Sequence, residues 1–303
     1  MKRQPVVFNS LTQLHKAMGQ PAPLHPLIGI INYGEAQFNP KDYEEGIILN
    51  FYKISFKTYF SGKLKYGQGF YDFEEGGMSF IAPGQLLKMQ DEEANYDGMT
   101  LHIHPDFIRN YALGSSIKQY GYFTYSAAEA LYLSEKEKIT VLSIYKFIQD
   151  ELAQRIDKFS QDVIISQIEV LLNYANRFYD RQFITRKSVN NELLVRLEKH
   201  LEDCFNDEIN KAAVLPSVNS VAEKLNVTSR YLSDMLRNLI GLNTQQFIHE
   251  KVIEKAKEHL AKDELTVAEI AYNLGFEHPQ SFNKLFKSKT SFSPLEYKKS
   301  LLN

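Results

Sequence analysis

Three groups of side chains in this 303-residue chain have types and spacings that could do chemistry. Between Ser229 and Leu239, the apolar Leu232, Met235, Leu236 and Leu239 take one side of a helical repeat, which leaves Ser229, Arg230, Ser233, Asp234 and Arg237 on the other. Between Gln280 and Lys287, Phe282, Leu285 and Phe286 do the same and leave Gln280, Ser281, Asn283, Lys284 and Lys287 outside. Guanidinium, amide and hydroxyl groups displayed this way suit hydrogen-bonding edges: Arg pairs in bidentate fashion with guanine, Gln and Asn with adenine, Asp accepts from cytosine, and Ser serves either. The third group is His102-Ile-His104, the one histidine pair with metal-ligand spacing. Met99, Leu101 and Ile103 alternate with it, so if those three face a core the histidines point away, toward surface or loop. No nearby Glu and third His complete a ligand set, and no Gly-x-Ser-x-Gly, phosphate-cradling Gly loop or His-Glu-x-x-His helix occurs. The expectation is no metal, no cofactor and no catalytic centre, with a metal-dependent enzyme bearing a helical appendage, its metal on His102 and His104, as the rival reading.

The two polar sets are positioned by an internal repeat. Val221-Ala-Glu-Lys-Leu-Asn-Val aligns with Ile270-Ala-Tyr-Asn-Leu-Gly-Phe, pairing Ala222 with Ala271, Leu225 with Leu274 and Asn226 with Gly275. After one added residue, Leu232 pairs with Phe282, Leu236 with Phe286, Arg237 with Lys287 and Phe247 with Tyr297. Each unit, about 217–239 and about 266–289, reads as a short helix, a tight turn and a second helix. Thr266-Val-Ala-Glu269 is a capping box; Ser217 and Thr228 are the caps of the first unit. Gly275 supplies the left-handed conformation that the turn needs, and Asn226 is the next most tolerant residue. Pro279 sits at the first helical position, where its missing N–H costs nothing. Thr244 to Ala261 should form one amphipathic helix with Phe247, Ile248, Val252, Ile253, Ala256 and Leu260 inward. Its length, roughly 27 Å at about 1.5 Å per residue, plus flanking turns, is compatible with two reading helices about 34 Å apart on one duplex.

The rest of the chain is written differently. From Pro26 to about Ile103, short runs rich in Ile, Phe and Tyr alternate with turn signals such as Glu74-Glu-Gly-Gly and Ala82-Pro-Gly, which predicts a β-sandwich or small barrel. After about Ser134, Leu142, Tyr145, Ile148 and Leu152 mark one helix and Ile164, Ile168, Leu171, Ala175 and Phe178 another, either packed against the β-part or forming a dimer interface. Asp180 to Asn190 reads as a short basic linker, and Asn191 to Phe205 as a third helix. Tyr33, Phe51, Tyr52 and Tyr66 are core aromatics that would also form an effector-binding set if they lined a cavity.

The stretch Asn191 to Asn303 resembles the DNA-binding domain of AraC/XylS-type transcription regulators. The resemblance rests on Glu269-Ile-Ala-Tyr-Asn-Leu-Gly-Phe-Glu-His-Pro-Gln-Ser-Phe-Asn-Lys-Leu-Phe-Lys and Ser293-Pro-Leu-Glu-Tyr. Ser291 stands where the family usually has Gly, and Val252 where Arg is frequent. The resemblance implies an α+β protein: an N-terminal cupin-like β-barrel with a helical pair (1–185), then an all-α domain with two helix-turn-helix units (186–303). It places Arg230, Ser233 and Asp234 at base-reading positions and Arg237 at a backbone-facing one. The implied partners are double-stranded promoter DNA, a second copy of the chain, a small-molecule effector and RNA polymerase.

Composition agrees. With 44% hydrophobic and 24% charged residues the chain should fold as a globular protein. Net charge is −2 overall, yet residues from Val218 onward carry 12 Lys+Arg against 10 Asp+Glu, and from His278 five Lys oppose one Glu, the sign that phosphate neutralisation requires. A single cysteine, Cys204, excludes an intrachain disulfide and a zinc knuckle, which points to a reducing compartment. No run of about 18 apolar residues occurs and Met1 to Ser10 lacks a signal-peptide core, so a cytoplasmic protein without a membrane span is expected.

Overall fold

The computed structural model describes residues 4–37, 40–61, 64–66, 69–71, 76–87, 95–126, 129–155, 157–206, 214–262 and 264–301. Its contacts divide the chain into two units, Met1–Gln182 and Phe183–Asn303.

The first unit opens with β1 (Val6–Phe8), α1 (Leu11–Ala17), β2 (Ile28–Asn32), β3 (Ile47–Leu49), β4 (Tyr52–Ser61), β5 (Leu64–Tyr66) and β6 (Gly69–Tyr71). It continues with β7 (Gly77–Ile81), β8 (Leu86–Leu87), β9 (Asn95–Ile103), the short α2 (Pro105–Ile108) and α3 (Ala112–Ser116), β10 (Leu131–Tyr132), and the long α4 (Glu135–Ala153) and α5 (Ser160–Thr185). Strands order as β10-β7-β4-β9-β2 in an antiparallel five-stranded sheet, β1-β3-β8 in a second sheet and β5-β6 in a third.

The cupin-like barrel expected above is not what forms among the described residues: the sheets are open. At the β10 edge a side chain does the work of another strand. Gln182, almost fully buried, accepts from Tyr132 N–H at 2.8 Å and donates to Ala130 C=O at 3.2 Å, and Arg181 donates to Tyr132 C=O at 2.7 Å. With those backbone groups satisfied, no further ladder is needed there.

The sheet's two faces differ in chemistry. Ile54, Phe56, Met78, Phe80, Leu101 and Ile103 are buried on one, where Tyr145 of α4 donates to Ile54 C=O at 2.7 Å and Tyr122, stacked on Tyr179 of α5 at 5.4 Å, meets Phe80 at 4.4 Å. In α4 the buried stripe is Val141, Ile144, Tyr145, Ile148 and Leu152, with Leu142 half-buried; in α5 all five expected positions are buried, joined by Ile165, Leu172 and Tyr179. The heptad-like seam of α5 is therefore consumed inside its own chain. The basic segment expected as a linker is helical, because α5 runs to Thr185 and the next helix starts at Lys187.

The second unit is all helical: α6 (Lys187–Asn206), α7 (Val218–Leu225), α8 (Ser229–Ile240), α9 (Thr244–Lys262), α10 (Val267–Asn273), α11 (Pro279–Thr290) and α12 (Pro294–Ser300). The central α9 packs against α6, α8, α10, α11 and α12. Its buried residues Phe247, Ile248, Val252, Ile253, Ala256 and Leu260 are the ones the periodicity marks. Val252 is fully buried, so the position where the family often has Arg is here a core position.

Candidate nucleic-acid interface

The interface is built twice from the same local rules. Ser217 and Ser220 close a capping box at the start of α7, and Thr266 and Glu269 close one at the start of α10, where Thr266 N–H donates to the Glu269 carboxylate at 2.7 Å. That backbone bond, with the Thr266 hydroxyl, holds the Glu269 carboxyl below its ordinary range. Both turns then close alike: Val227 N–H donates to Ala222 C=O at 3.0 Å, and Phe276 N–H to Ala271 C=O at 3.0 Å. Asn226 (φ 58°) and Gly275 (φ 84°) take the left-handed conformation at equivalent positions. At Gly275 a second constraint acts, since a Cβ there would lie 2.3 Å from Leu215 N, whose N–H donates to Gly275 C=O at 3.0 Å.

The reading helices follow. Thr228 caps α8 by accepting from Tyr231 N–H at 3.2 Å; α11 starts from His278 without a side-chain cap and carries Pro279 in its first turn. Inward, Leu232, Met235 and Leu236 of α8 and Phe282 and Phe286 of α11 are fully buried, Phe286 meeting Tyr297 edge-on at 5.5 Å. Both helices end one turn later in left-handed residues, Gly241 (φ 76°) and Ser291 (φ 65°). Ser291 thus adopts the turn for which the family usually employs Gly.

Outward, the two helices differ. On α11, Gln280, Ser281, Asn283, Lys284 and Lys287 are all exposed. Of the five α8 positions expected outside, only Arg230 and Arg237 are. Ser233, expected outside, is half-buried with its hydroxyl 2.9 Å from that of the buried Thr244. Ser229 is half-buried and donates to Asn219 at 2.7 Å. Asp234, its side chain 19% exposed, lies between two guanidiniums: one carboxylate oxygen accepts from Arg230 Nε and the other from Arg237, each at 2.9 Å. The repulsion that a carboxylate would exert on phosphates is offset by these pairs. Sequence reasoning did not find Thr244 or Asn219. The signal for the first was present: Asn243-Thr-Gln-Gln246 is a capping box, with Gln246 N–H donating to Asn243 and Asn243 N–H to Gln246, both at 2.9 Å, and it fixes Thr244 at the start of α9.

Residues 221–300, which hold both turns and both reading helices, match the family of helix-turn-helix domains. The second unit carries an AraC-type helix-turn-helix domain. Relatives of this AraC-type domain are regulators. A stretch of 159 residues is 26% identical to the uncharacterized HTH-type transcriptional regulator YfiF of Bacillus subtilis, covering 50% of this chain and 47% of that protein. Over 94 residues the identity to the HTH-type transcriptional activator RhaS of Escherichia coli is 34%, covering 31% of each chain. The match thus spans under half the length of the first and about a third of the second. Among solved structures, the C-terminal domain of AraT, a response regulator from Geobacillus stearothermophilus, is 28% identical, with 36% of this chain and 84% of that chain covered and a TM-score of 0.31.

In the first unit the histidine pair separates. His104 caps α2, accepting from Asp106 N–H at 3.2 Å. His102 is 1% exposed, because the sheet is covered on both faces; pointing away from Leu101 and Ile103 takes it into a second interior, not to the surface. Among the described residues no group of three or more His, Cys, Asp or Glu is placed to hold a metal ion. Of the expected effector-binding aromatics, Tyr33 and Phe51 lie on the His102 side: the Tyr33 hydroxyl is 2.8 Å from that of Ser55, and Phe51 meets the His102 ring edge-on at 5.5 Å. Tyr52 is on the opposite face against Phe123, and the Tyr66 side chain lies outside the described residues. No helix among the described residues is long and apolar enough to cross a membrane.

Proposed function

We propose that this chain is a cytoplasmic, sequence-specific DNA-binding transcription regulator in which α8 and α11 enter successive major grooves of one promoter duplex. The observation that carries the reading is the repeated unit itself: equal turns, equal left-handed caps and two exposed reading helices on one central helix, in a unit whose relatives are regulators. Arg230 is suited to a guanine edge, Gln280 and Asn283 to adenine, Ser281 to either, and Lys284 to guanine or phosphate. Arg237 and Lys287 are suited to the phosphate backbone. Asp234 and Ser233 act by holding Arg230 and α8 in place, and Ser229 by tying the tip of α8 to α7.

The first unit is the effector-binding and dimerising part of this reading, with contact to RNA polymerase as the resemblance implies. An effector changes DNA binding only through its different affinity for two arrangements of the protein. The test is selection of duplexes by the full chain from a random pool, followed by binding measurements on the selected sequence. Arg230→Ala and Lys284→Ala are each expected to weaken specific binding by roughly 1–3 kcal/mol. Unchanged affinity in both overturns the docking mode.

A further inference from the structure

The second face of the five-stranded sheet is unusual for an interior. Its positions, read from the register, are Gly29 and Ile31 on β2, Lys53, Ser55 and Lys57 on β4, Gly77, Ser79 and Ile81 on β7, and Gly98, Thr100 and His102 on β9. None is an aspartate or glutamate. Gly29, His102 and Lys53 form one cross-strand row. His15 of α1 lies over it, its Nε2 3.3 Å from where a Cβ on Gly29 would stand, and its Nδ1 donates to Pro21 C=O at 2.8 Å. Ser55 and Thr100, both buried, occupy the next row, with their hydroxyls 3.4 Å apart and Tyr33 on Ser55.

Two atoms in this cluster are buried without a hydrogen-bond partner: His15 Nε2 and His102 Nδ1. Buried polar atoms are normally paired with protein groups, ordered water or a ligand, so these two nitrogens mark a place where one of the latter two can be held. Among the described residues no carboxylate pairs with Lys53, whose ammonium stands 5.8 Å from the centre of the Tyr33 ring. The charge in the cluster is of one sign. Burial, then Lys53, then His15 hold the His102 imidazole well below its ordinary range, and burial with the neighbouring Lys53 brings Lys57 down to about 7.

We propose that this face binds a small organic carboxylate, with Lys53 as its counter-ion, His102 as a hydrogen-bond partner and the Tyr33–Ser55–Thr100 hydroxyls ordering its other polar groups. Phe51, packed edge-on against His102, offers the apolar wall. The inference deepens the reading of the first unit as an effector domain and rests on that reading for its purpose, while the site stands on its own geometry.

The experiment follows thermal unfolding of the full chain with benzoate, octanoate and citrate, against benzamide and octanamide as uncharged counterparts and zinc chloride as a metal probe. At least one carboxylate is expected to raise the midpoint in a saturable way while its amide does not. Lys53→Met is expected to weaken that response at least tenfold, and Lys53→Arg, which keeps the charge, to retain most of it. The proposal is overturned if no carboxylate exceeds its amide, if Lys53→Met responds like the parent, or if zinc stabilises where carboxylates fail. DNA affinity is read separately, so a carboxylate that binds without altering it supports the site and removes the effector reading.

Discussion

The two helix-turn-helix units share a backbone and differ in how they present their side chains. On α8 the polar residues are largely engaged with the protein: Asp234 bridges Arg230 and Arg237, Ser233 meets Thr244 and Ser229 meets Asn219. On α11 all five polar residues of the expected outward set stand exposed, and the helix begins without a side-chain cap. Holding a guanidinium in place before contact lowers the entropy that binding must remove, which favours discrimination at one base. Exposed amides and lysines keep their rotamer freedom and adapt to more than one sequence. On the proposed docking mode, the first helix-turn-helix unit would make a fixed contact and the second would supply affinity and accommodation.

Four substitutions break or sharpen that contrast. The largest effect is expected where the turns differ. Gly275→Ala places a methyl against the Leu215 backbone in a left-handed residue and should cost roughly 2–4 kcal/mol in denaturant unfolding. Asn226→Gly, at the equivalent place, should stay within about 1 kcal/mol of the parent. Equal effects would show that the two turns are not under different constraints.

Next comes the bridge on α8. Asp234→Asn frees both guanidiniums and removes a negative charge, so affinity for random duplex should rise while the ratio of specific to random binding falls by roughly five- to tenfold, about 1–1.4 kcal/mol. An unchanged ratio, measured at one fixed salt concentration, would mean that Arg230 needs no preorganisation. The smallest effect is at the end of α11, where Ser291 holds φ 65° and its counterpart Gly241 holds φ 76°. Ser291→Gly should stabilise by about 0.5 kcal/mol, and a destabilised variant would indicate that the serine side chain holds that turn.

Much of the second unit was legible because its determinants are local. Caps at Ser217, Thr228 and Thr266, the left-handed Asn226 and Gly275, and the buried stripe of α9 are each set within one turn or one helix, and each lies where the sequence pattern puts it. The outward set was legible on α11 and only partly on α8. Periodicity tells which side a residue takes but not that Thr244, eleven positions on, claims the Ser233 hydroxyl.

The first unit marks the other limit. By itself, the sequence determined that this part is β-rich, that two amphipathic helices follow, and most of the residues that turn inward, since hydrophobic spacing is set by the backbone repeat; Val141 and Ile144 were not among those it marked. Only the tertiary structure decided that the sheets stay open, that Gln182 closes the β10 edge, and that His102 shares an interior with Lys53 and His15. Strand order and the covering of a second sheet face depend on pairings between segments far apart in the chain, and alternation along one strand carries no information about what lies above it.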